Sequence, residues 1–72
     1  MIDQVVAREM AEQFIARQNL RGHKYKFASV KFDERWPIEW GVVFDVYSPQ
    51  NTLIDGPIVI LVDKNSGAVR SL

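Results

Sequence analysis

Two runs of β-forming apolar residues, Trp40-Gly-Val-Val-Phe-Asp-Val-Tyr47 and Ile58-Val-Ile-Leu-Val62, confine the second half of this chain to an antiparallel sheet. In the first run Trp40, Val42, Phe44 and Val46 share one face, while Gly41, Val43, Asp45 and Tyr47 share the other, so the former set is expected to meet a helix. In the second run Ile58, Ile60 and Val62 alternate with the equally apolar Val59 and Leu61. That pattern suits a strand at the sheet centre or one covered by a partner. Asp63-Lys-Asn-Ser-Gly67 then fits a hairpin built on a type I turn with Gly67 left-handed, leaving a short last strand from Ala68 to Leu72.

The first half supplies the covering element. Asp3 is placed to cap a helix whose apolar stripe is Val6, Met10 and Phe14 with Ala7, Ala11 and Ile15 beside them; Arg8, Glu9, Glu12 and Gln13 take the opposite face. The spacing predicts a helix from Gln4 to about Leu20, with Gly22 at its exit. From Lys24 the period becomes two, but Tyr25 and Phe27 have the opposite parity to Val30 and Phe32. A β-bulge near Ala28-Ser29 would bring all four to one face; coverage of both faces would make it unnecessary. Asp33 to Pro37 reads as a loop, and the second strand as Glu39 to Tyr47. Ser48 to Thr52 and Asp55-Gly56-Pro57 are turn formers that put Leu53-Ile54 in a connecting loop or short bridge. The fold class expected is α+β, order α-β-β-β-β: one N-terminal helix packed on a four-stranded antiparallel sheet with three long strands and one short.

A chain of 72 residues makes one domain, spanning 1–72, with a thin core and a stability on the order of a few kcal/mol. Without cysteine it has no disulfide, thiol nucleophile or Cys-based metal site, and a reducing cytoplasm is the expected compartment. Nine basic against nine acidic residues give zero formal charge, which argues against sequence-independent nucleic-acid binding. The same balance leaves protein partners or self-association. Asp3, Gln4, Arg8 and Glu9 do not suit a signal peptide, and the apolar run Ile58–Val62 falls far short of the roughly 20 residues that cross a bilayer.

Reactive constellations are sparse. His23 is the only histidine, and without a cysteine or second histidine it suits a surface or capping role better than a metal site or catalytic base. Asp33, Glu34, Glu39 and Asp45 could supply a carboxylate pair of the glycosidase kind, but so small a domain barely forms the groove such a pair must flank; solvated charges are the simpler reading. Asp55, Asp63 and Lys64 read as turn formers, and the dispersed glycines form no phosphate-binding loop. Lys24, Lys26 and Lys31 interleave with Tyr25 and Phe27 as an RNA platform's residues do, but the parity shift and the absence of other basic clusters favour ordinary strand alternation. No catalytic residue, metal ligand or cofactor is expected. Phe32, Trp36, Pro37, Ile38 and Trp40 are the more suggestive group, since aromatics beside a loop often anchor protein interfaces, although Trp40 by parity belongs to the core.

The run from Tyr25 through Phe32, the Trp40-Gly41-Val-Val-Phe44 strand, and above all Gly56-Pro57-Ile-Val-Ile-Leu-Val-Asp63-Lys64-Asn65-Ser66-Gly67 leading to Ser71-Leu72 resemble the immunity protein 35 family of bacteria. The resemblance implies a small cytosolic α+β protein that neutralises a toxin by binding it, with some members chaperone-like, and it carries over no catalytic residue. Occlusion of a toxin needs only a rigid exposed patch of complementary polarity. The patch expected here is the Asp33–Glu39 loop, acidic through Asp33, Glu34 and Glu39 and anchored by Trp36. The competing expectations are a homodimer joined edge to edge through exposed strands, or a small holdase.

Overall fold

The computed structural model describes residues 1–32 and 38–72. Helix α1 (Gln4–Ala16) precedes four strands, β1 (Lys24–Phe32), β2 (Glu39–Tyr47), β3 (Leu53–Asp63) and β4 (Val69–Ser71). They form one antiparallel meander in the order β1-β2-β3-β4, so the α+β architecture expected from the pattern is the one adopted.

Asp3 starts the helix as its stripe implies: extended backbone there lets the carboxylate accept from the Val6 amide at 2.9 Å. The helix stops at Ala16, four residues before the expected end at Leu20. Gln18 N–H donates to Ile15 O and Gln18 Nε2–H to Phe14 O, while Asn19 Oδ1 accepts from the Arg21 amide. These local bonds offer the backbone an alternative to another helical turn. Arg21 and Gly22 then take positive φ (50° and 83°) and turn the chain into β1. The His23 ring lies 3.0 Å from Leu20 O, a partner in this exit turn.

The phase shift in β1 is resolved by a bulge. Phe27 pairs with Phe44 but Ser29 with Val43, leaving Ala28 as the extra residue, and Val30 returns to the same face as Phe27 opposite Val42. A second irregularity corrects the sequence reading. Leu53 and Ile54 are not a connecting loop; they pair with Tyr47 and Val46 as the start of β3, and Asp55 to Pro57 bulge out opposite Asp45. Pro57 and the positive φ of Gly56 (87°) are accommodated because the ladder is interrupted there.

Ala7, Ala11 and Ile15 pack on Val42, Phe44, Ile60 and Val62. The two alanines are fully buried, and their small side chains let the helix lie close to the sheet. Phe27 meets Phe44 edge-on, with ring centroids 6.1 Å apart and planes at 79°. Burying each large apolar side chain in this layer contributes about 1.5–3 kcal/mol. Leu61, on the opposite face, is also fully buried. Arg70 on β4 and Glu39 on β2 flank it and form a bidentate pair across β3 (3.2 and 3.0 Å). Val43 and Val59, further along that second face, are half-buried.

Candidate functional site

Three of the four residues expected to bind a partner, Asp33, Glu34 and Trp36, lie outside the described residues. The fourth, Glu39, opens β2. Its side chain is 13% exposed, and Arg70 occupies both carboxylate oxygens. Glu39 therefore organises the open face of the sheet, and partner recognition by its charge would include Arg70.

The structure also shows what holds the two strand ends from which the 33–37 segment departs. Phe32, the last residue of β1, pairs with Trp40 in β2, their rings 6.5 Å apart at 69°. Lys64 Nζ lies 4.0 Å from the Phe32 ring centroid and 4.5 Å from that of Trp40. An ammonium between two ring faces is attracted by both quadrupoles, by roughly 0.5–2 kcal/mol according to its desolvation. The Lys64 backbone is engaged as well: its amide donates to Ile38 O (2.8 Å) and its carbonyl accepts from Ile2 N–H (2.7 Å). Trp40 Nε1–H donates to Ile2 O at 2.8 Å. One residue thus joins the chain's start, the end of β1, the start of β2 and the β3–β4 turn.

The turn itself is fixed by Asp63, whose Oδ1 accepts from the Asn65 and Ser66 amides, both at 2.8 Å. The Ser66 amide first, then that of Asn65, holds the Asp63 carboxyl below its ordinary value of 3.8, because both donate to the ionised form. Gly67 follows with φ 77° and its amide donates to Asp63 O, confirming the left-handed turn residue read from the sequence.

Around this braced base, apolar surface remains open. Phe32 is 55% exposed and Ile38 57%, one on each side of the 33–37 segment. Sequence reasoning grouped both with Trp36 and Trp40 but missed Lys64, which it assigned to the turn alone. No local pattern joins Lys64 to Phe32 and Trp40; the sheet register brings the three together.

Elsewhere, a groove of about 500 Å³ runs between the end of α1 and β3, lined by Phe14, Leu20, Tyr25, Ile58 and Leu72 among others. Among the described residues no three His, Cys, Asp or Glu gather into a group able to hold a metal ion, and no helix is long and apolar enough to cross a membrane. Compared with family models, curated proteins and solved structures, the chain matches none.

Proposed function

We propose that this chain is a non-catalytic protein-binding domain that acts in the manner of an immunity protein, by covering the working surface of a protein toxin. The observation that supports the reading is the brace at the base of the 33–37 segment. Phe32, Trp40, Lys64 and Ile2 are interlocked, while Phe32 and Ile38 expose apolar surface beside it. A binding loop that departs from a rigid base loses less conformational freedom on association, so more of its contact energy appears as affinity. Trp36 is the proposed anchor, with Phe32 and Ile38 as flanking apolar contacts. Asp33 and Glu34 supply charge that answers a basic toxin surface.

The test is co-expression with the product of any neighbouring gene that arrests growth when expressed alone, together with calorimetric titration of the purified pair. Trp36→Ala is expected to weaken binding at least tenfold and abolish growth rescue while far-UV circular dichroism is unchanged, since aromatic interface anchors cost about 2 kcal/mol or more when truncated. Full rescue and unchanged affinity in a folded Trp36→Ala protein would remove the anchor. Absence of any binding by the wild type would remove the immunity reading itself.

A further inference from the structure

Charge is distributed unevenly along this neutral chain. Between Glu12 and Asp33 there is no acid, while Arg17, Arg21, Lys24, Lys26 and Lys31 place five of the nine cations there. That stretch ends in β1, which closes the strand order and, among the described residues, has no neighbour on its outer side. We infer that this edge accepts an extended acidic segment of a partner protein as a fifth strand of the sheet.

The ladder bonds fix which backbone groups are free. The Leu72 amide donates to Val59 O and the Lys64 amide to Ile38 O, so Val59 is turned toward β4 and the even-numbered residues of β2 toward β3. Phe44 and Val46 are thus turned away from β1, and Phe27 and Tyr25, which stand opposite them, present N–H and C=O outward. Lys26, opposite Asp45, is bonded inward. An edge that alternates donors and acceptors is complemented by another backbone. A nucleic-acid phosphate offers acceptors alone and leaves the carbonyls unmatched.

The side chains select the partner's charge. Tyr25 and Phe27 pack against the core on the helix face, so Lys24 and Lys26 point to the other face, where Lys31 resumes the row beyond the Ala28 bulge beside Gly41 and Val43. All three lysines are exposed. Lys24 Nζ donates to Asn51 Oδ1 at 2.9 Å, and Asp45 stands across from Lys26. Among the described residues, however, the ion pairs are Arg8–Glu12 and Glu39–Arg70, so Lys26 forms none with Asp45. The row is available to carboxylates at alternate positions of an added strand. On the helix face that strand would meet Tyr25 and Phe27, with the Arg8 guanidinium already 3.9 Å from the Phe27 ring centroid, so apolar residues suit its other positions. A second copy fits poorly, because two β1 edges related by a two-fold axis set lysines beside lysines. The bulge limits the continuous ladder to Lys24–Phe27, which makes the association weak and carried in part by charge.

The test is an NMR titration of the purified chain with an octapeptide that alternates glutamate and valine. Saturable shifts are expected within about 1 mM peptide, with the Tyr25 and Phe27 amides exchanging more slowly in the complex. Raising salt from about 20 to 500 mM should weaken binding several-fold. Combining Lys26→Glu with Lys31→Glu changes two exposed side chains and should lower the affinity about tenfold, while conferring binding to the matching lysine–valine octapeptide. No shift at about 1 mM, shifts centred away from β1, or an affinity indifferent to the charge reversal would overturn the inference. So would two other results. Equal binding of an oligothymidylate without protection of the Tyr25 and Phe27 amides would assign the edge to polyanions, and protection of those amides on raising protein concentration alone would assign it to a second copy. The measurements do not involve the 33–37 segment, so their failure is separate from any failure of toxin binding.

Discussion

Replacing Gly67 by alanine separates two physical costs that coincide at the β3–β4 turn. The residue has φ 77°, and an added Cβ would sit 2.7 Å from Met10 Cε and 3.1 Å from Ile2 Cδ1. Holding a side-chain-bearing residue in the left-handed region costs about 1–2 kcal/mol. The collision with Met10 is cheaper to relieve, because Cε ends a flexible thioether beside an open groove of about 280 Å³ that Met10 itself lines. The total expected for Gly67→Ala is about 1.5–2.5 kcal/mol, most of it backbone strain. In urea unfolding followed by tryptophan fluorescence, with m near 1 kcal/mol/M for so small a domain, the midpoint should fall by about 1.5–2.5 M. Gly67→Asn is the discriminating control. Asparagine is larger but tolerates positive φ, so it should cost less than alanine if strain dominates and more if the collision does. An alanine variant within about 0.5 kcal/mol of wild type, or an asparagine variant less stable than the alanine one, would refute this account.

Two further outcomes are expected. Asp63 has its folded-state pKa below 3.8, so the stability it contributes is present above that value and lost as pH falls through the folded pKa. Asp63→Asn should flatten the fall in urea midpoint below about pH 4, and an unchanged acid profile would show that other carboxylates carry it. Trp40→Phe keeps a ring near Lys64 but deletes the donor to Ile2 O, so chemical denaturation should register a loss of about 1 kcal/mol, with amide exchange accelerated at Ile2. Unaltered exchange at Ile2 would mean that its bond to Lys64 O suffices to hold the N-terminal segment.

The sequence by itself determined the layer scheme, because the quantities that decide it are local. The Asp3 cap, the stripe from Val6 to Ile15, and the alternation in β1 and β2 each record which side chains share a face. Even the Ala28 bulge was legible, since only an inserted residue reconciles Phe27 with Val30 on one covered face. The end of α1 was not. The turn bonds of Gln18 and Asn19 compete with helix continuation at a margin that apolar spacing does not encode. The start of β3 was misread because Asp55-Gly56-Pro57 carries breaker chemistry whether it ends a strand or bulges from one, and only pairing with Val46 and Tyr47 decides between them.

Tertiary structure alone decided the arrangement around the candidate surface. Lys64 reaches Phe32 and Trp40, and Arg70 reaches Glu39, across distances in sequence that no spacing rule spans. Strand register places those partners together. Register depends on summed cross-strand packing and on where each bulge falls, which makes it a property of the assembled sheet rather than of any single segment.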